Sequence, residues 1–245
     1  MATTRQRRVA QGDMSVLLSA VSGFARDLTG RGDPSDMLCA LIERATDVLG
    51  LAGAGVILVR AGRLDVAASP SEPVAGLERV QEQHQAGPCA VAATTGRLIA
   101  VQDLAAARCR HEWPHYTAHA QQIGIHAVAA IPMLADGAPL GVVDLYSAPP
   151  REWSPHDLQA AIILVDIAAG HLARAAELQR QRRTAEQLQQ ALDSRIVIEQ
   201  AKGMLAAAHG ISVDNAFTIL RKYSRDHNAR IHDVAAAVVN RSLRL

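Results

Sequence analysis

The sequence predicts an α+β fold, an antiparallel sheet with flanking helices followed by a long connecting helix and a C-terminal three-helix bundle. Three observations predict it. Short apolar runs of β-branched and aliphatic residues are joined in pairs by the two-residue turns Ala61-Gly62 and Asp136-Gly137. Between Pro155 and Gly203 the only helix-weakening residue is Gly170. The last fifty residues carry apolar faces at helical spacing in three stretches cut apart at Gly210 and Asn228.

In chain order, residues 1–13 form a basic tail with Arg5, Arg7 and Arg8, expected to be flexible. Helices follow at 14–28 and 34–49, then strands at 54–59 and 63–68 as a hairpin, then a helix over 72–85. A further helical piece begins after Gly87-Pro88, with a strand-like segment at 98–102 behind it. The stretch 103–124 is loop-rich with a short helix, and Trp113-Pro114 breaks any helix through His111. Strands at 127–134 and 140–147 make the second hairpin. Ser154-Pro155 starts the long helix, with Ser as cap and Pro as its first residue. In the bundle, Ile196, Met204, Leu205 and Ala208 form the first apolar face. Ala216, Phe217, Leu220 and Tyr223 form the second, and Ile231, Val234, Ala235 and Val238 the third. Ser212 stands at the N-cap of the second helix.

Charge separates the two ends of the chain. From Glu177 onward there are 11 Lys and Arg against 7 Asp and Glu, and both lysines of the chain, Lys202 and Lys222, lie there. The remainder holds 14 basic against 17 acidic residues. Arg195 and Lys202 are one heptad apart and share a helix face, while Arg221, Lys222 and Arg225 cluster within about one turn. A nucleic-acid backbone suits such a surface. Cys39, Cys89 and Cys109 form no C-x-x-C pair and point to a reducing compartment. With no uninterrupted apolar run of membrane length and no secretory leader, the expectation is a cytoplasmic protein with no membrane partner.

The run Ile198-Glu199-Gln200-Ala201-Lys202-Gly203-x-Leu205, with Ala191-Leu192, Arg195, Gly210-Ile211-Ser212, Ala216, Leu220-Arg221 and Val234-Ala235, resembles an ANTAR domain. The resemblance covers roughly residues 188–240. It implies binding of paired RNA hairpins with exposed loops and transcription antitermination as the outcome. Arg195, Lys202, Arg221, Lys222, Arg225 and Arg230 become the candidate RNA-binding residues. Ala206, Ala207 and Ala208 depart from the polar residues usual after A-K-G-x-L. Loop bases are read by a basic surface with planar groups for stacking, so arginine must supply most of the planes here. Phe217 and Tyr223 are the bundle's only aromatics, and their spacing favours core packing.

Gly87-Pro88-Cys89, Thr95-Gly96-Arg97 followed by Val101 and Asp103-Leu104, Ile131-Pro132-Met133, and Gly141-Val-Val-Asp-Leu-Tyr-Ser147 resemble a GAF domain over about residues 14–172. GAF domains are mostly sensory modules that bind small ligands or dimerise, so the resemblance implies signal input rather than chemistry. The N-K-x-F-x-D-E run of the cyclic-nucleotide-binding members is not found. Residues 173–187 then read as a helical linker and 188–245 as the RNA-binding unit. Leu178, Ala185 and Leu192, with Ala175 and Leu188 at the companion spacing, make a weak coiled-coil seam. A homodimer is expected, and no cofactor is called for.

Other readings compete. Cys89 at a helix start could be an activated thiolate, as in an enzyme or a redox sensor. No partner base can be placed by spacing, and a buried structural thiol is preferred. Cys109, His111, His115 and His119 invite a metal site, which the break at Trp113-Pro114 argues against. Trp113, Tyr116 and His126 either line a ligand pocket or, as preferred, pack as core. Three short helices with a basic surface also describe a DNA-binding regulator, although no recognition helix with a row of base-reading side chains is evident. The sequence therefore predicts a regulator and not an enzyme.

Overall fold

A computed structural model of the protein describes residues 22–23, 33–69 and 72–245. The basic tail and the helix expected at 14–28 lie outside the described residues, apart from Ser22 and Gly23, which are helical. The chain divides into two units, Met1–Ala176 and Glu177–Leu245.

The first unit is built on a five-stranded antiparallel sheet of order β2-β1-β5-β4-β3. Its strands are β1 (Gly53–Arg60), β2 (Arg63–Ala68), β3 (Ile99–Val101), β4 (Ala127–Ala135) and β5 (Ala138–Ser147). Both expected hairpins form with two-residue loops. Ala61 and Gly62 have φ of 50° and 76°, and Asp136 and Gly137 have 50° and 77°. Two successive left-handed residues match the right-handed twist of the flanking strands, which is why glycine takes the second position of each turn.

The period of two along each strand sorts the sheet into two faces. Ala54, Val56, Ala129, Ile131, Met133, Val143 and Leu145 pack against helix α1 (Pro34–Leu49) and the start of α6 (Pro155–His209). Ile57, Val128, Ala130, Val142, Asp144 and Tyr146 face the other way. There they meet α2 (Glu72–His84), α3 (Pro88–Thr95), α4 (Ala107–Glu112) and α5 (Pro114–Gln122). Trp113-Pro114 does separate α4 from α5, as the proline requires. Ser154 Oγ accepts the Asp157 amide at 3.1 Å, so the expected cap opens α6.

Strand β2 lies at the sheet edge, and Glu82 of α2 with Gln85, the residue that follows the helix, covers its free backbone groups. The Leu64 amide donates to Gln85 Oε1 at 2.8 Å, Gln85 Nε2 donates to the Leu64 carbonyl at 3.1 Å, and the Val66 amide donates to Glu82 Oε1 at 3.1 Å. An edge left open would offer those groups to another chain.

Helix α6 runs 55 residues. It contains a window long and apolar enough by composition to cross a membrane. In the fold, Ala161, Leu164, Val165, Ala168 and Ala169 of α6 are buried among the residues of the first sheet face.

In the second unit the C-terminal part of α6 packs with α7 (Val213–Asp226) and α8 (Ile231–Val239). Gly210 (φ 62°) and Asn228 (φ 48°) are the left-handed breaks. Ser212 Oγ accepts the Asn215 amide at 3.2 Å. The apolar face of α6 keeps Leu205, as expected, but is otherwise rotated from its expected position. Ala201 and Leu205 are buried with Val197 and Ile198 beside them, while Ile196 is 56% exposed and Met204 and Ala208 are exposed. A shift of one residue turns a helix face by about 100°, and the contacts with Ala216, Leu220, Val234 and Ala235 settle which side is inward.

Candidate nucleic-acid interface and sensor core

In the second unit, two of the six candidate basic residues meet over one aromatic ring. Lys202 Nζ lies 5.3 Å and the Arg221 guanidinium carbon 5.7 Å from the centre of the Phe217 ring. Phe217 is half-buried and lies outside the bundle core, contrary to the packing its spacing suggested. The reason is geometric: Ala216 and Leu220 occupy the inward line of α7, and Phe217, one position on, falls at its flank. Arg225 follows Arg221 by about one turn and is exposed. Arg195 and Lys222 are exposed, and Arg230 stands exposed at the N-cap of α8. No contact brings these three to the Phe217 ring among the described residues.

Lys202 is not a free cation. Its Nζ donates to both Glu199 oxygens at 2.9 Å, one turn back on α6. Its side chain is only 14% exposed, so an incoming phosphate must compete with Glu199 for it. Tyr223 packs at the bundle core, and its ring stacks on His227 at 3.8 Å.

The first unit holds a polar cluster outside the candidates drawn from the sequence, between the sheet and α2 to α5. Glu78 and Gln81 from α2 and Asp144 and Tyr146 from β5 are all fully buried. Gln81 Nε2 donates to Asp144 Oδ2 at 2.8 Å and to Glu78 Oε2 at 3.2 Å. Its Oε1 accepts the Cys89 amide at 3.0 Å. Tyr146 Oη donates to Glu78 Oε1 at 2.9 Å. Neighbouring small residues leave the room for this. Gly55 and Ala130 are the register partners of Asp144 on either side, and a Cβ on Gly55 would collide with the Glu78 carboxylate.

Burial and the charge of Asp144 push the Glu78 carboxyl well above the usual range. Burial raises Asp144 to about 6 against the opposing effect of its hydrogen bonds. Two carboxylates in one enclosed site disfavour each other's ionisation, so the pair takes up a proton more readily than two free acids, and Glu78 is the more strongly raised of the two.

Cys89 lies beside this cluster and is fully buried. Burial, followed by the charges of Asp144 and Glu78, raises its thiol, the opposite of what a helix start alone would do. Desolvation and two like charges outweigh the helix dipole. Cys109, Trp113 and Tyr116 are core residues. His115 stacks on His84 at 4.2 Å, and His126 Nδ1 pairs with the Ala148 carbonyl at 2.6 Å. Among the described residues no three His, Cys, Asp or Glu side chains converge in a metal-ligating arrangement.

A signal for the cluster exists in the sequence. Val74, Leu77, Glu78 and Gln81 share one helical face, so Glu78 and Gln81 continue an apolar stripe inward. Asp144 interrupts an otherwise apolar strand that is buried on both faces from Gly141 to Ser147.

The comparisons with known proteins agree with these two units. The GAF domain family matches residues 32–173, and the ANTAR domain family matches residues 186–239. None of the curated proteins matches the chain. Among solved structures, the fold is similar to the GAF domain of a phosphoenolpyruvate-protein phosphotransferase from Coxiella burnetii, with TM-score 0.54 and 14% identity over 67% of this chain and 96% of that one. It is also similar to the corresponding GAF domain from Acinetobacter, with TM-score 0.52 and 13% identity over 65% and 94%. A third likeness is to free methionine-R-sulfoxide reductase from Neisseria meningitidis, solved with its substrate, with TM-score 0.51 and 18% identity over 68% and 91%. At these identities the likeness is one of fold alone.

Proposed function

The chain belongs to the GAF domain family over residues 32–173 and carries an ANTAR domain at 186–239, and from that premise we propose that it is a signal-responsive RNA-binding regulator acting as a transcription antiterminator. The C-terminal bundle binds paired RNA hairpins, and the N-terminal unit senses a small molecule in the cytoplasm and controls that binding. The observation that carries this reading is the meeting of Lys202 and Arg221 at the half-buried Phe217 ring, with Arg225 one turn beyond. Cations neutralise phosphates and guanidinium planes stack on unpaired bases, which is the combination that reading an RNA loop needs. Arg195, Lys222 and Arg230 extend the contact to neighbouring phosphates.

The protein acts as a homodimer, so that two bundles meet two hairpins and the second contact benefits from high effective concentration. Leu178, Leu188 and Leu192 along α6 are 46%, 62% and 56% exposed in the single chain and provide the seam for a second copy.

The test is crosslinking in cells followed by sequencing of bound nucleic acid, with the Arg221→Glu/Arg225→Glu protein alongside. Recovery of paired hairpins ahead of terminators, lost in the double variant, is expected. Both side chains are exposed, so stability should change by no more than about 0.5 kcal/mol for each. The salt dependence of binding should become shallower by about one unit for each phosphate contact removed. Recovery of promoter DNA instead would replace this reading with that of a DNA-binding regulator.

A further inference from the structure

We infer that the C-terminal bundle carries a binding site for a small apolar carboxylate, in a pocket between the end of α6, α8 and residues 241–245. The inference goes beyond the reading of the N-terminal unit as the sensor and does not rest on it.

The backbone after α8 builds the pocket. The chain reverses at Arg241, which takes a left-handed φ of 58°. The amides of Ser242 and Leu243 both donate to the Ala237 carbonyl, at 3.0 and 3.1 Å, as happens where a left-handed residue closes a helix end. Residues 241–245 then return to α6. Leu243 and Leu245 pack against the bundle core, and His209 Nε2 donates to the main-chain oxygen of Leu245 at 2.7 Å. Between this segment and the two helices lies a pocket of about 420 Å³, which falls in the range of small-molecule sites, about 300–1,000 Å³.

Its lining combines two chemistries. Met204 and Ala208 of α6, Val238 of α8, and Leu243 and Leu245 present apolar surface. Arg241 and Arg244 supply charge, and no acidic side chain lines the pocket. Among the described residues neither arginine pairs with a carboxylate. A ligand that matches this lining has an apolar body and an anionic head. A carboxylate suits the head, because the guanidinium fork offers it two parallel N–H donors. Glycine would hold the turn at 241 with less strain, yet the residue there places a cation on the pocket.

The pocket is separate from the candidate RNA surface. Met204 is two positions beyond Lys202 and so about 200° around α6 from it. The ANTAR domain match ends at residue 239, so the arginines and leucines that close the pocket lie outside it. An RNA phosphate would engage the arginines and leave the apolar lining bare, which favours a small amphiphile as the occupant.

The experiment uses the full chain with isotope-labelled methionine methyl groups followed by NMR, and octanoate as the probe. Acetate, which lacks the apolar body, and octylammonium, which reverses the charge, are the controls. Met204→Leu identifies the Met204 signal. Octanoate titrated to about 10 mM, a ceiling suited to so small a ligand, should move that signal saturably, and the two controls should not. Arg241→Gln and Arg244→Gln should each weaken octanoate binding about tenfold, the worth of a charge-assisted hydrogen bond. Ala208→Phe, at an exposed helix position, should fill the pocket and abolish the response while the melting temperature is kept.

An unmoved Met204 signal, an equal movement with octylammonium, or undiminished affinity in the Arg241→Gln/Arg244→Gln protein overturns the site. Two rival occupants have their own signatures, and either one also overturns it. RNA affinity lost in the double variant, with no octanoate response in the parent, would make the arginines phosphate contacts. A Met204 signal that follows protein concentration and ignores octanoate would make the pocket a contact with a second copy of the chain.

Discussion

Asp144 is a carboxylate in the middle of a strand that pairs on both sides, and its partners explain how the fold accommodates it. Gly55 and Ala130 flank it, Gln81 bonds it, and Glu78 shares its enclosure. With both acids raised in the folded state, the unfolded chain loses protons first as pH rises from about 4, the ordinary carboxylate value. Stability contributed by the protonated pair is thus full below about 4 and is lost as pH rises through the folded value of about 6 for Asp144 and the raised value of Glu78. Urea unfolding at pH 4.5 and pH 7 should show this decline, and the Glu78→Gln/Asp144→Asn protein should show a smaller one. An equal decline in both proteins would assign the pH dependence to other groups. Cys89, enclosed beside the same acids, should resist iodoacetamide between pH 7 and 8.5 while the exposed Cys39 reacts. Mass spectrometry of the labelled peptides decides this, and rapid labelling of Cys89 would restore the redox alternative. Glu199 holds Lys202, so Glu199→Gln should tighten RNA binding at low salt by freeing the ammonium.

At the scale of elements, α2 serves the sheet on two sides. Its inner face carries Val74, Leu77, Glu78 and Gln81 into the interior, and Glu82 with Gln85 reaches over to bond the outer edge of β2. Those bonds replace a neighbouring strand. Gln85→Ala leaves the Leu64 amide and carbonyl without the side chain that pairs them and should cost about 1–2 kcal/mol in denaturant unfolding. It should also raise aggregation, because an open edge pairs with other chains. A variant as stable and as soluble as the parent would mean that solvent serves the edge equally well. In the bundle, the one-residue rotation of the α6 face leaves Ile196 and Met204 outside and brings Lys202 toward Phe217. Packing of α7 and α8 on Ala201 and Leu205 thereby orients the candidate RNA surface.

For the molecule as a whole, a sensory unit and an RNA-binding unit share the 55-residue helix α6, whose middle presents Leu178, Leu188 and Leu192 to solvent. If dimerisation along that seam governs output, a fragment beginning at Gln181 should be mostly monomeric and bind paired hairpins much more weakly than the full chain. Fusion of that fragment in register to an unrelated dimeric coiled coil should restore binding by raising effective concentration. Light scattering and hairpin titration check both statements. A full chain that stays monomeric when bound to RNA, or a fragment that binds as tightly as the whole, would refute them. Coupling between ligand and output requires the ligand to favour one arrangement over the other, typically by about 1–3 kcal/mol.

What the sequence determined by itself is what local chemistry decides. Ala61-Gly62 and Asp136-Gly137 turn the hairpins because two consecutive left-handed residues are needed there. Ser154, Ser212, Gly210 and Asn228 begin and end helices through caps and backbone conformation that involve only near neighbours. The family motifs lie on these same segments, so the two-unit organisation was legible as well. Only the tertiary structure decided that Glu78 meets Asp144, that Gln85 closes the β2 edge and that Phe217 lies under Lys202 and Arg221. Each of these joins residues from different elements, apart from Phe217 and Arg221, which lie one turn apart on α7. Local dihedral preferences cannot specify such contacts, because they depend on strand register and on which face of a helix the neighbouring core draws inward.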